Sequence, residues 1–289
     1  MGSTTMKQDD ATPQVLLAGL TFPEGPRWRE GKLWFSDFYT HRVITVDPMG
    51  ASATVAEVPE RPSGLGWTKD GRLLIVSMLD RRVLRQGPGG LELYADLARL
   101  ATGPCNDMVV DAAGRAYVGN FGFDRHNNEA PRTTCIARID PDGKVVRAAE
   151  ELFFPNGMAI TPDGRSFIVA ETYANRLTTF AVGADGSLQK RRLFAELKDC
   201  FPDGICLDAE GAVWVADARG HQVIRVFDGG RIERTVSTGA QGAFACMLGG
   251  ADRRTLFICT SSASGPAQAT KRDGRIETVR VDVPGAGLP

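Results

Sequence analysis

The sequence predicts an all-β fold, a six-bladed β-propeller with four-stranded antiparallel blades, and three observations carry that expectation. The chain has 33 glycines and 16 prolines in 289 residues, a composition suited to many short strands joined by tight turns. A short polar corner recurs about every 44 residues, the size of one propeller blade. Behind each corner, an acidic-Gly turn or its equivalent leads into an apolar run rich in β-branched and aromatic residues.

The corners in order are Pro23-Glu24-Gly25, Pro62-Ser63-Gly64, Cys105-Asn106-Asp107, Pro155-Asn156-Gly157, Pro202-Asp203-Gly204 and a degenerate sixth, Phe244-Ala245-Cys246. The second strands align with them at Leu33-Trp34-Phe35-Ser36, Leu73-Leu74-Ile75-Val76, Ala116-Tyr117-Val118-Gly119, Phe167-Ile168-Val169-Ala170, Val213-Trp214-Val215-Ala216 and Leu256-Phe257-Ile258-Cys259. Continuous apolar runs of this kind suit strands covered on both faces by neighbouring blades. Third strands are expected near 42–47, 134–140, 175–180 and 222–227. A weak helical period is confined to 91–100 and 194–200, and neither stretch is well capped. Val15-Leu16-Leu17 precedes the first repeat and is expected to supply the outer strand of the last blade, closing the ring and removing an exposed edge. The domain reading is a disordered lead over 1–13 and a single propeller over 14–289.

Composition narrows the function classes. The 34 Lys and Arg are balanced by 35 Asp and Glu, and the basic runs Arg81-Arg82, Lys190-Arg191-Arg192 and Lys271-Arg272 are short, which argues against nucleic acid as a partner. No run reaches the roughly 18 apolar residues of a membrane span, and 1–13 lacks a secretory pattern. The six cysteines contain no Cys-x-x-Cys pair, so reduced, buried thiols and a cytoplasmic location are expected. Composition sets no oligomeric state.

In a propeller each corner opens the innermost strand of its blade, so Glu24, Ser63, Asn106, Asn156, Asp203 and Phe244 should meet at one mouth of the central channel. Two carboxylates and two carboxamides make an all-oxygen set with two negative charges, which suits a hard divalent cation. Any single Asx-Gly corner is explained as well by turn chemistry. Four converging corners are not, because leaving two buried carboxylates unpaired costs several kcal/mol. His41, His126 and His221 all miss the corners, which argues against an imidazole or thiolate zinc site.

Loops that follow the second strands return to the same mouth, and they nominate Phe38, Tyr39, Met78, Phe121, Phe123, His126, Tyr173, Arg219 and Ser261 as pocket residues. The longest of these loops, 121–132, reads as a lid or rim; His126 is a candidate to orient a leaving group, although a lone loop histidine is more often solvated. Phe121, Phe123 and Tyr173 suggest an apolar or aromatic ring in the substrate and read equally well as core residues. The chain has no Gly-x-Ser-x-Gly elbow and hence no sign of a serine triad.

The runs Pro23-Glu24-Gly25-Pro26-Arg27-Trp28, Phe154-Pro155-Asn156-Gly157-Met158 and Pro202-Asp203-Gly204-Ile205-Cys206-Leu207-Asp208 resemble the signature corners of the SMP-30/gluconolactonase/LRE-like family. The resemblance spans about residues 15–285 and implies a six-bladed propeller with one divalent metal ion in the channel and lactone hydrolysis as the activity. It implies metal binding by Glu24, Asn156 and Asp203, with Asn106 bordering the metal and contacting substrate or bound water. Calcium is the first expected ion, with zinc, magnesium and manganese as alternatives. The implied partner is a small lactone or related ester. Sugar-lactone members often carry an arginine where this chain has Pro104, a departure that leaves the lactone substrate open. Asp203 is nominated as the general base acting on water, with a covalent route through Asp203 as the alternative. Two rival readings are a binding propeller with a structural metal and a non-hydrolytic, strictosidine-synthase-like enzyme. The latter would need Glu171 as an acid in the pocket.

Overall fold

The structure is a computed structural model that describes residues 7–8 and 12–287. The described residues form six sheets, each with four antiparallel strands that run from the axis outwards, in chain order in all but the sixth. The first blade comprises Pro23–Arg29, Lys32–Asp37, Arg42–Val46 and Ser52–Glu57. The other innermost strands are Pro62–Trp67, Cys105–Val110, Pro155–Ile160, Pro202–Leu207 and Gly242–Gly249. Each innermost strand touches the next, and Gly242–Gly249 touches Pro23–Arg29, so the ring is closed. Inner and second strands are apolar because both faces are covered, as in Leu73–Ser77 and Val213–Asp217, where every residue is buried.

The seam lies where the hydrophobic pattern of the N-terminal stretch places it. Gln14–Leu20 is the outer strand of the sixth blade and pairs antiparallel with Gly274–Arg280, with Val15 opposite Glu277. Of the expected disordered lead, residues 1–6 and 9–11 lie outside the described residues; Lys7–Gln8 run parallel beside the outer strand Ile232–Ser237 of the fifth blade.

Two weak helical periods turn out to be strand. Residues 91–100 begin within Gly90–Asp96, where an irregularity between Leu93 and Ala95 offsets the two-residue alternation. A one-residue offset of that kind imitates helical spacing. Residues 194–200 are the end of Leu188–Glu196 followed by a turn closed by Cys200 N–H to the Leu197 carbonyl. Among the described residues the α-helix is Gln268–Lys271, in a sixth-blade loop.

The sixth innermost strand starts at Gly242, ahead of the degenerate corner. Phe244 nonetheless takes the corner place: a Cβ on Gly204 would meet Ala245, just as one on Gly157 would meet Gly204. At the far mouth the segment 284–287 crosses the channel, with Ala286 N–H donating to the Leu207 carbonyl (3.0 Å) and Ala209 N–H to the Pro284 carbonyl (2.9 Å). All six cysteines are free and buried, and no helix among the described residues is long and apolar enough to cross a membrane.

Candidate active site

The corners meet because small residues follow them. A Cβ on Gly157 would lie 2.4 Å from Ile205 N and 2.6 Å from the Asp203 carbonyl oxygen, so only glycine lets these two innermost strands approach so closely. The third corner has Asp107 in that place, and its carboxylate is drawn to Arg27 of the first blade at 2.8 Å. Arg27 also donates to the Met108 and Pro26 carbonyls. This buried pair was not anticipated, although the missing glycine at the third corner was its signal.

The floor of the site is a chain of oxygen-bearing side chains. Ser63 Oγ donates to Asn106 Oδ1 (3.1 Å), Asn106 Nδ2 to Asn156 Oδ1 (2.7 Å), Asn156 Nδ2 to Thr172 Oγ1 (3.2 Å), and Thr172 Oγ1 to the Pro202 carbonyl (2.7 Å). Glu24 and Asp203 close the set at 9% and 8% exposure. Burial pushes the Glu24 carboxyl well above the ordinary carboxylate range, and the neighbouring Asp203 charge pushes it further. Burial likewise raises Asp203; Arg125 and Asn156 offset this in part, while Asp107 and Asp217 add to it. Asp203 Oδ1 is buried and has no hydrogen-bond partner among the described residues.

Those observations test whether a cation fits. An orphaned carboxylate oxygen, a second carboxylate that repels it, and an amide oxygen with a lone pair to spare are hard-donor chemistry. A divalent ion would satisfy the oxygen and remove the repulsion. No cluster of three or more His, Cys, Asp or Glu side chains placed to hold a metal occurs among the described residues, so such an ion would draw on the carboxamide of Asn156 as well as the two acids.

Above the floor is a cavity of about 500 Å³. Its wall follows a rule that repeats around the ring. The residue just before each corner accepts a hydrogen bond from the residue just after the second strand: Phe38 N–H to the Phe22 carbonyl, Met78 to Arg61, Phe121 to Pro104, Thr172 to Phe154 and Ala218 to Phe201. Nine of these ten residues line the cavity, Pro104 being the exception. The last residue of the second strand fixes the incoming chain. Asp37 Oδ1 accepts from Thr21 N–H (2.9 Å) and Phe22 N–H (2.8 Å), Asp217 Oδ1 from Phe201 N–H (3.0 Å), and Glu171 Oε2 from Phe153 N–H (2.8 Å).

Of the nominated pocket residues, Phe38, Tyr39, Met78, Phe121, Tyr173 and Arg219 line the cavity with Asn106. Phe121 and Tyr173 stack on the two faces of Phe154, at 4.4 and 4.8 Å between ring centroids. Phe123 lies one layer back, 1% exposed and 5.7 Å from the Tyr173 ring. Ser261 is also behind the wall, bonded to Gln268 of the short helix. The side chain of His126 lies outside the described residues. Glu171 is not in the cavity: it is fully buried, with Arg176 and Arg191 on its Oε1 at 2.9 and 3.0 Å. Burial would raise it, but Arg176 and Thr178 hold it below the ordinary carboxylate value. The acid demanded by the strictosidine-synthase-like reading is therefore tied up in structure. Sequence reasoning missed Phe22, Arg61, Phe154 and Phe201, whose shared signal is a fixed place one residue before a corner.

A closed ring of six blades with an asymmetric cavity over the corners defines the class, a six-bladed propeller. Residues 22–262 match the SMP-30/Gluconolactonase/LRE-like region, and the chain belongs to that family. It is 27% identical to a 6-deoxy-6-sulfogluconolactonase of Pseudomonas putida over 92% of this chain and 93% of that one. Identity to a pentonolactonase of Haloferax volcanii is also 27%, over 92% of each. Among solved structures it resembles the calcium-binding protein regucalcin of Agrobacterium tumefaciens, with a TM-score of 0.83 at 21% identity over 99% of both chains. A gluconolactonase of Xanthomonas campestris gives 0.76 at 25% identity, over 96% of this chain and 90% of that one.

Proposed function

We propose that the protein is a metal-dependent hydrolase that opens a lactone ring. The observation that carries the reading is the pair of buried carboxylates, Glu24 and Asp203, beside Asn106 and Asn156 at the floor of the axial cavity, with Asp203 Oδ1 unpartnered. Support comes from two relatives spanning nearly the whole chain that are named lactonases.

Glu24, Asn156 and Asp203 would hold the ion, calcium first. When bound, a dication polarises the ester carbonyl and stabilises the charge that grows on its oxygen. Asn106, fixed by Ser63 and Asn156, orients the lactone or the attacking water through its carboxamide. Asp203 takes a proton from that water as its oxygen bonds to the carbonyl carbon. The ring C–O bond then breaks, and the proton passes to the departing alkoxide, giving a hydroxycarboxylic acid. Glu24 keeps its charge throughout and balances the ion.

The test is a pH-indicator screen of lactones and aryl esters on chelated protein, with calcium, magnesium, manganese or zinc restored in turn. Hydrolysis that disappears on chelation and returns with one ion supports the reading. Turnover unaffected by chelation, or no turnover with any ion, overturns it.

A further inference from the structure

Eight of the eighteen phenylalanines and tyrosines line the axial cavity. Phe121, Phe154 and Tyr173 form a stack, with interplanar angles of 7° and 20°, and Phe22 meets Phe244 edge to face at 4.7 Å. Hydroxyls turned against such walls would go unbonded, at about 1–3 kcal/mol each. A flat apolar ring would gain stacking and burial instead.

The charges at the mouth have a different character from the charges elsewhere. Buried arginines of the chain are paired with acids, as in Arg27 with Asp107 and Arg225 with Asp208. Arg61, Arg125 and Arg219 line the cavity, and none of them forms an ion pair among the described residues. Arg61 stands in the ring of residues before the corners, where other blades have Phe22, Pro104, Phe154 and Phe201. Its guanidinium lies 4.7 Å from the Tyr39 ring centroid, and its Nε is buried without a partner. Arg125 reaches from the third-blade loop to Ser264 Oγ of the sixth-blade loop at 2.8 Å, spanning opposite sides of the ring. Burial raises the Tyr39 phenol above its ordinary value, while Arg61, Arg125 and the Gly265 N–H act in the other direction. Arg61 and Arg125 thus line the same cavity as Tyr39, Ser264 and Gly265, and both guanidiniums favour negative charge there.

We infer that the substrate is a lactone on an aromatic or other flat apolar ring that carries an anionic substituent, held at the mouth by Arg61 and Arg125. This rests on the lactonase reading above. Two acids at the floor balance a dication, which leaves the arginines as the net charge of the cavity, and a guanidinium fork matches a carboxylate or sulfonate.

The experiment compares kcat/KM of the metal-restored protein on dihydrocoumarin, its carboxylated and sulfonated derivatives, and gluconolactone. The charged aromatic lactones should exceed dihydrocoumarin by at least about tenfold at low salt, with the ratio falling as ionic strength rises. Arg61→Gln and Arg125→Gln should each cut that ratio by about tenfold, and Arg61→Lys should give an intermediate value. Equal rates on charged and neutral aromatic lactones, an unchanged ratio in both Gln variants, or preference for gluconolactone would overturn the inference. Titration calorimetry with 2-naphthoate and 2-naphthol separates it from the lactonase reading. Naphthoate binding that weakens in Arg61→Gln upholds the anion site even where no lactone is turned over, and failure of naphthoate to bind overturns it.

Discussion

Glu24 and Asp203 at the corners, and Asp37, Glu171 and Asp217 at the ends of second strands, are all buried carboxylates within the same ring, and the fold treats the two groups in opposite ways. The strand-end acids accept backbone N–H groups, and Glu171 adds two arginines. Their charge is used up in fixing the chain just before each corner. The corner acids are both raised by burial, Glu24 further by the Asp203 charge and Asp203 by Asp107 and Asp217; Glu24 accepts one N–H, from Gly25, and Asp203 Oδ1 is left without a donor. Burial alone therefore does not separate an acid that holds the fold from one that serves a ligand; the count of donors does.

The comparison breaks first at Asp203. Asp203→Asn should lower lactone turnover by about a thousandfold, in the range of a lost general base, while the metal-free protein keeps or gains stability because a buried charge is gone. Initial rates at saturating metal, with melting curves of the metal-free forms, check both parts. More than a tenth of the turnover remaining would remove Asp203 from the chemistry. Glu171→Gln should do the reverse, costing about 2–4 kcal/mol in urea unfolding because Arg176 and Arg191 lose their acid, with kcat within about twofold of the parent. A large fall in kcat with unchanged stability would move Glu171 into the catalytic group.

A smaller effect is expected at the boundary between the groups. Gly157→Ala forces a methyl against the backbone of the fifth blade and should cost about 1–3 kcal/mol. It should also weaken metal binding, because Asn156 and Asp203 shift apart. Calorimetric titration with calcium checks this, and parent-like affinity would show that the corners tolerate movement.

The smallest effect is the sign of the pH dependence. Glu24 and Asp203 bind protons more tightly folded than unfolded, so metal-free stability should fall as pH rises from the ordinary carboxylate value towards their raised values. Glu171 is lowered, so its contribution is complete above the ordinary value and is lost as pH falls below it. Melting temperatures across about pH 2–8 should show Asp203→Asn flattening the loss of stability above the ordinary carboxylate value and Glu171→Gln flattening the loss below it. The same slope in both variants would erase the distinction.

The sequence carried the ring, its seam and its five oxygen-bearing corners, because a polar residue at fixed spacing, before a small one in all but the third corner, has few other uses. The cavity wall was less legible. Phe22, Phe154 and Phe201 read as core when taken singly, and Arg61 reads as surface; their common role emerges only from the repeated hydrogen bond to the residue after the second strand. Phe123 and Ser261 were placed on the right loops but face away from the cavity, since consecutive residues in a turn need not share a side. Arg27 was invisible as a partner of Asp107 because the pairing spans the channel.

The strand Gln14–Leu20 has a further meaning for assembly. The acids at the floor come from the first and fifth blades, and the sixth stands between them, with its own outer edge supplied by the first strand after the lead. The floor is complete only after the chain has travelled round and met itself. If the floor holds an ion as proposed, its affinity would be a readout of ring completion, and fraying at the seam would weaken it without altering any of the proposed ligands.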